Sequence, residues 1–310
     1  MLFNLKYGRN KISLPVENIL AVVEPKELPG LLDPADEVSR FLRQPIGAKP
    51  LRQLVQERKP QKVAAIVNDI TRPTPYGIIL PPLLAELHQA GLSREQIRFH
   101  IATGIHDPNT PEQNLQIFGA EMLENYQFVS HDPEHNLVDL GKLPSGNTLY
   151  VNGEVYGADL IITTGVINLH YFAGFSGGRK SILPGIAGRT TIQNNHRAMV
   201  DLIAEEPPID GNPISLEMIE AARRIGVDFI VNVVTNSNKE IVQVVAGDLV
   251  EAWRTGVETC AGMYKQTIPA LADLTIASAG GYPKDINMYQ AQKALENADR
   301  ATREGGIIVL

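Results

Sequence analysis

His170-Tyr171-Phe172-Ala173-Gly174-Phe175-Ser176-Gly177-Gly178-Arg179-Lys180-Ser181-Ile182-Leu183-Pro184-Gly185 is the stretch on which the reading of this chain turns. It follows the apolar, β-branched run Leu160-Ile161-Ile162-Thr163-Thr164-Gly165-Val166-Ile167, the pattern of a buried parallel strand. Thr190 to Met199, just beyond it, has the makings of a helix start. Glycine costs backbone entropy and weakens regular structure, so a run of it at a strand end marks tight turns or close approach to a ligand. Backbone N–H groups released by such a turn, with Arg179 and Lys180 beside them, suit a bound phosphate. The loop is not a Walker A motif, G-x-x-x-x-G-K-[ST], because Arg179 stands where the second glycine belongs. Two readings stay open on residue types alone. One is a surface turn with incidental cations; the other is an anionic-ligand loop with a histidine at its start and a reactive lysine at its end.

Working outward, the same strand-then-loop pattern recurs. Lys62 to Val67 is a buried strand running into Asn68-Asp69-Ile70-Thr71-Arg72-Pro73-Thr74-Pro75, kept extended by its prolines. A helix from Tyr76 to Ala90 stops at Gly91. The strand Ile97 to Ala102 runs into Thr103-Gly104-Ile105-His106-Asp107-Pro108, and Thr110-Pro111-Glu112-Gln113 has a capping box with proline at the first helical position. In open α/β sheets ligands sit outside the carboxyl ends of the strands, which is where Asp69–Pro75, Thr103–Pro108 and His170–Lys180 all fall.

The remaining elements extend the alternation. Met1 to Val16 is hairpin-like with a turn at Gly8-Arg9-Asn10, and Asn18 to Val23 is predicted as a strand. Pro34 to Leu51 supplies short helical pieces, Tyr126 to Ser130 a strand, and Leu137 to Val155 irregular β with a turn at Ser145-Gly146-Asn147. Then follow helix Ser215 to Ile225, strand Phe229 to Thr235, strand Glu240 to Val245, and a helix from its Asp248 cap to Lys265. Near Ile268 the pattern restarts: Ala272 to Ile276 echoes Ala158 to Ile162, Asn287 to Thr302 is a helix, and Gly305 to Leu310 begins a strand. The expected fold class is α/β, with a largely parallel-sheet, Rossmann-like N-terminal domain over residues 1–268 and the start of a second, truncated α/β domain over 269–310.

Bulk composition narrows the function. The 310 residues carry a net charge of −7 with basic residues spread along the chain, which argues against a nucleic-acid partner. A small anionic substrate would need a local cationic pocket against that field. Cys260 is the single cysteine, so neither a disulfide within the chain nor a thiolate zinc cluster is available. No signal-peptide pattern and no spanning apolar run is evident, so no membrane is expected and the cytoplasm is the expected location.

His106, His170 and His196 fall in loops or at a helix start beside glycine or polar neighbours, whereas His88, His100, His131 and His135 read as structural. Arg72, between Thr71 and Pro73, is placed to grip a carboxylate bidentately. Asp69 is either a turn former or an acceptor for ribose hydroxyls, and Tyr289 and Lys293 share one helix face. Residue chemistry thus reaches a small anionic metabolite, a phosphate-bearing cofactor and histidine acid–base work, and stops short of the reaction.

At these positions the chain resembles the nickel-dependent lactate racemase family. The resemblance rests on Asp69-x-x-Arg72-Pro73, Ala102-Thr103-Gly104-x-His106, the block from His170 to Lys180, His196, Gly280-Gly281-Tyr282-Pro283, and Tyr289-Gln290 with Lys293. It implies a nickel-pincer nucleotide, a pyridinium-3,5-bisthiocarboxylic acid mononucleotide of nickel, joined to Lys180 through a thioamide and made by cofactor-synthesis enzymes. It implies His196 as the protein's nickel ligand, Ser176, Gly177 and Gly178 against the phosphate, and Asp69 holding the nucleotide. His106 and His170 become the paired acid–base residues, one for each enantiomer of a small 2-hydroxy acid, and Arg72 and Lys293, with Tyr289 and Gln290, the substrate-binding residues. The implied reaction removes the hydroxyl proton while the α-hydrogen leaves as hydride to the cofactor, which avoids a carbanion. The flat 2-keto acid turns and takes the hydride back on its other face. Where many relatives carry a basic residue after the first histidine this chain has Asp107-Pro108, which bears on substrate choice. The family's second domain runs on past Leu310, so it is expected to be incomplete here. The alternatives are the same chemistry on malate, another 2-hydroxy acid or a sugar acid, or a non-catalytic binder of a phosphorylated metabolite.

Overall fold

The computed structural model describes residues 1–170, 172–198, 211–282 and 284–310, with the side chains of Tyr289 and Lys293 left out. Along the chain lie β1 (Leu2–Tyr7), β2 (Asn10–Pro15), α1 (Pro34–Arg43), α2 (Leu51–Arg58), β3 (Val63–Asn68), α3 (Tyr76–Gln89), β4 (Ile97–Ala102), α4 (Pro111–Phe118), α5 (Ala120–Asn125) and β5 (Gln127–Ser130). Next come β6 (Leu137–Lys142), β7 (Thr148–Asn152), α6 (Gly153–Tyr156), β8 (Leu160–Val166), β9 (Leu169–His170), β10 (Gly174–Phe175) and α7 (Arg189–Arg197). The series closes with α8 (Pro213–Ile225), β11 (Phe229–Thr235), β12 (Ile241–Gly247), α9 (Glu251–Tyr264), β13 (Ala272–Ile276), α10 (Met288–Ala301) and β14 (Thr302–Val309).

Contacts divide these residues into a larger unit, 27–262, and a smaller one, 1–26 with 263–310. The larger unit is organised by a six-stranded sheet in the order β12-β11-β8-β3-β4-β5. Every neighbouring pair is parallel except β11 with β12. All seven residues of β8 are buried, as are the first five of β3. That is why these strands are unbroken apolar runs rather than alternating ones. Helices cover the sheet through Leu80, Leu83 and Leu87 of α3 and Val38 and Leu42 of α1, packed with Ala65, Val67 and Phe99 in the buried core. This is the expected α/β class with a largely parallel sheet.

Local chemistry explains the element ends. Thr110 caps α4 through a capping box with Gln113, and Asn212 caps α8 by accepting from the Ser215 N–H. Asp248 accepts from the N–H groups of Val250 and Glu251 ahead of α9.

Two sequence expectations need correction. Asn18–Val23 is not a strand: Asn18 has φ +54°, Ile19, Leu20, Val22 and Val23 are exposed, and no ladder partner is present among the described residues. The end of the expected irregular β segment is the helical turn α6, capped by the Asn152 side chain. The N-terminal hairpin β1–β2 groups by contact with the C-terminal stretch, where Tyr282 N–H donates to Gly8 O at 2.7 Å. In that smaller unit β13 and β14 pair in parallel, with α10 between them in sequence. Among the described residues no helix is long and apolar enough to cross a membrane.

Candidate active site

The carboxyl ends of β8, β3 and β4, side by side in the sheet, release the three loops singled out from the sequence. The loop after β3 begins with Asp69, 3% exposed, whose Oδ1 accepts from the Thr71 N–H at 3.1 Å and the Thr71 hydroxyl at 2.6 Å. This Asx turn fixes the carboxylate and leaves Oδ2 to reach His106 Nδ1 at 2.7 Å. The loop after β4 is pinned by Gly104, whose φ of +56° favours glycine and whose N–H donates to Gly185 O at 2.9 Å. Asn109 ties the two loops together by accepting from the Ile70 N–H at 3.1 Å.

A buried carboxylate on Nδ1 makes that nitrogen the N–H donor and turns Nε2 out as the working nitrogen of His106. Burial works to raise the Asp69 pKa, but the hydrogen bonds from His106 and Thr71, with the charges of His106 and Arg72, hold it below the usual carboxylate value. Asp69 therefore stays ionised, with both oxygens engaged.

His170 sits in a different setting. It lies on the small hairpin β9–β10, with its Nε2 at 2.9 Å from Lys180 Nζ. Burial first, then the charges of Lys180, Arg72, His196 and Arg179, push its pKa well below the ordinary histidine value. Burial, Arg179 and Arg72 likewise push the Lys180 amine well down. Both shifts run toward the uncharged forms of the imidazole and the amine. The charge of Arg72 is felt by Asp69, His170 and Lys180 alike.

His196, near the end of α7, joins through Phe172. The Phe172 ring lies edge-on to His170 at 4.4 Å and to His196 at 4.8 Å between centroids, with Lys180 Nζ 5.1 Å from its own centroid. His196 Nδ1 is 2.8 Å from the Ile192 carbonyl, so Nδ1 carries the proton and Nε2 keeps its lone pair for a metal. Burial lowers the His196 pKa, which preserves that lone pair. Among the described residues no three His, Cys, Asp or Glu side chains group as metal ligands. A metal on His196 would take its other donors from a bound group, which suits a ligand that carries its own sulfur. A lysine amine pushed toward its neutral form by burial, around the same Phe172 ring, suits a covalent tether.

The glycine turn differs from its sequence reading. The Ser176 N–H donates to Asn168 O at 2.8 Å, the Ser176 hydroxyl to Val166 O at 2.8 Å, and the Gly178 N–H to Asn232 Oδ1 at 2.9 Å. A Cβ on Gly177 would stand 2.7 Å from Ile167 Cγ1. The N–H groups of 176 and 178 are spent on the turn itself and are not presented to a phosphate. Arg179 is no ligand cation either: it is 1% exposed, donates to Ser215 Oγ and Ala173 O, and stacks 3.7 Å over Trp253. Burial brings its pKa down to about 9. Together these contacts make a rigid mount for Lys180.

The structure thus brings Asp69, Arg72, His106, His170, Lys180 and His196 to one end of the larger unit. Tyr289, Gln290 and Lys293 stand on α10 of the smaller unit; the side chains of Tyr289 and Lys293 lie outside the described residues, and the Gln290 N–H donates to Asn287 Oδ1 at 3.0 Å. Sequence reading gave no role to Phe172, Asn232, Ser215 or Trp253, which hold the working groups in place. Only Phe172, inside the quoted block, carried a local signal.

A parallel α/β unit that gathers two differently held imidazoles and a buried lysine at the carboxyl edge of its sheet has the make-up of an enzyme site. Comparison with known proteins supplies the family. Residues 6–206 match the family model for the lactate racemase N-terminal domain, and residues 267–310 that for the lactate racemase C-terminal domain. The lactate racemase of Thermoanaerobacterium thermosaccharolyticum is 38% identical over 99% of this chain and 73% of its own length. That of Lactiplantibacillus plantarum is 37% identical over 90% of this chain and 66% of its own. The structure of the Thermoanaerobacterium apoprotein superposes with a TM-score of 0.90 at 36% identity, covering 99% of this chain and 73% of that one. A crystal structure of a Thermotoga maritima protein shares the fold, with a TM-score of 0.63 at 21% identity over 79% of this chain and 63% of that one. The chain belongs to the lactate racemase family, whose two named relatives are isomerases.

Proposed function

We propose that this protein interconverts the enantiomers of lactate, or of a closely related small 2-hydroxy acid, using a nickel-pincer nucleotide tethered to Lys180. The observation that carries the reading is the pairing of His106 with Asp69 and of His170 with Lys180 around Arg72. When bound, the cofactor supplies a reversible hydride acceptor. Arg72, exposed and with a guanidinium that among the described residues bonds only to its neighbour Thr71, offers that group to the substrate carboxylate. His106 Nε2 takes the hydroxyl proton of one enantiomer while Asp69 stabilises the imidazolium that forms; His170 Nε2 does the same for the other. Phe172 packs edge-on against His170 and fixes the side from which that ring is approached. Once the keto acid has turned, the opposite histidine returns the proton.

Lys180 is the tether and His196 Nε2 the nickel ligand. Asp69, assigned to the nucleotide by resemblance, serves His106 through Oδ2, and Ser176, Gly177 and Gly178 serve the cofactor by fixing Lys180. The roles of Tyr289, Gln290 and Lys293 at the substrate rest on the family pattern alone. The larger unit is the cofactor-bearing domain, residues from 269 onward begin a second α/β domain, and loading takes place in the cytoplasm with cofactor-synthesis enzymes as partners. Protein produced alongside those enzymes is tested with each pure lactate enantiomer by chiral chromatography and by a tryptic mass map. Racemisation of both, with added mass on the Lys180 peptide, is expected. Racemisation of malate and not lactate would move the substrate; no turnover of any 2-hydroxy acid by loaded protein would sink the reading.

A further inference from the structure

We propose that His170 works before it ever meets a substrate: it is the general base for covalent loading, drawing the proton from Lys180 as that amine acylates itself. This deepens the reading above, since it takes Lys180 as the tether. Lys180 Nζ has His170 Nε2 as its hydrogen-bond partner at 2.9 Å, and among the described residues no carboxylate pairs with it. The Ala173 N–H lies 3.5 Å from His170 Nδ1, a longer contact than the 2.9 Å one between Nε2 and the amine. An amine that donates one N–H to an imidazole keeps its lone pair for attack, and burial beside Arg179 and Arg72 pushes Lys180 toward that nucleophilic form. Arg179, braced on Ser215 and Trp253, holds positive charge beside the pair without itself reaching a ligand. The mount is rigid: Asn232 locks the turn at Gly178, and Gly185 N–H closes back on Lys180 O at 3.0 Å.

The step balances without an oxidant. Lys180 Nζ attacks the carbonyl carbon of an acyl donor of the carboxylic or thiocarboxylic class, and the N–C bond forms. The bond from that carbon to its oxygen or sulfur leaving group breaks, and the Nζ proton passes to His170 Nε2 and on to the departing group, which leaves as water, hydrogen sulfide or a thiol. The nitrogen ends as a planar amide or thioamide that no longer takes up a proton. His170 Nε2 then faces a nitrogen with which it no longer exchanges a proton, and its acid–base capacity is left to the substrate. One imidazole performs two tasks in sequence, and loading is what switches it from the first to the second.

The test uses the full chain without cofactor and a thioester of nicotinic acid as the probe, read by intact mass and tryptic mapping over time. The native protein is expected to gain one nicotinoyl group on the Lys180 peptide ahead of its other lysine peptides, and to lose that preference in urea. His170→Gln, which keeps a polar side chain but cannot take the proton, should slow labelling at Lys180 by about 100-fold or more. His170→Ala should be slowed as much and recover in added imidazole. Labelling of His170→Gln at the native rate, or a folded His170→Ala that imidazole does not rescue, overturns the proposal. So does a native protein in which Lys180 reacts no faster than surface lysines. If Lys180 labels as described but loaded protein fails to racemise any 2-hydroxy acid, the racemase reading falls and this one stands.

Discussion

His106 and His170 bring the same ring to the same edge of one sheet and are held there in opposite ways. His106, with its side chain 48% exposed, leans on a buried carboxylate that fixes its proton on Nδ1. His170 leans on an amine among cations, and its surroundings favour the neutral ring. Mirror-image substrates do not require mirror-image bases. Because two enantiomers have equal free energies, kcat/KM must be the same in both directions whatever the enzyme does. An asymmetry between the two bases can therefore appear only in kcat and KM taken separately.

The largest effect that bears on this comparison comes from removing either ring. His106→Ala and His170→Ala should each lower kcat/KM for both lactate enantiomers equally, by about 100- to 10,000-fold. Unequal kcat/KM values in the two directions would mean that the assay is not reading racemisation. Asp69→Asn should act on one side only. Losing a charge-assisted hydrogen bond of about 1.5–3 kcal/mol should cost roughly 10- to 150-fold in kcat. Labelling of Lys180 should stay at the native rate in this variant, and a matching loss of labelling would show that Asp69 holds the whole site rather than His106.

Acid separates the two sides further. The native state holds His170 neutral below the ordinary histidine pKa of about 6.5, where an unfolded chain would bind the proton. Its contribution to stability is then complete above that pH and is lost as the pH falls below it. Chemical denaturation of the cofactor-free protein at stepped pH should show native stability dropping through this window, and less steeply in His170→Gln. The glycines give the smallest effects. Gly177, at φ +80° and ψ 174° with Ile167 against its would-be Cβ, should cost about 1–3 kcal/mol as Gly177→Ala. Gly104, at φ +56° with no neighbour closer than 3.4 Å to a Cβ, should cost about 1 kcal/mol as Gly104→Ala.

The frame that carries the comparison was legible from residues alone. Buried runs such as Leu160–Val166, the prolines after Asp69 and the capping box at Thr110 state strand, loop and helix through local chemistry, and the strand-end position of the loops followed. What was not legible depends on residues far apart in sequence. Arg179 beside Lys180 looks like a second ligand cation until Trp253 and Ser215 are seen to hold it inward. The glycine turn looks open to phosphate until Asn232 is found on the Gly178 N–H. Asp69 offered two readings, turn former or ribose acceptor, and the partner it has, His106, lies 37 residues on. The β-branched residues near Val22 suggested a strand, yet a strand needs a partner, which no local pattern can supply. The family reading came from the length of the motif block, not from physics.

The division of labour between the two imidazoles is tested most directly by a single turnover of loaded protein with each pure enantiomer, quenched in acid and analysed for bound 2-keto acid. The account predicts that native protein yields keto acid from both, that His106→Ala loses it from one enantiomer only, and that His170→Ala loses it from the other. If both variants lose keto acid from the same enantiomer, or either loses it from both while still carrying mass on Lys180, the two rings do not serve opposite hands and the account is wrong.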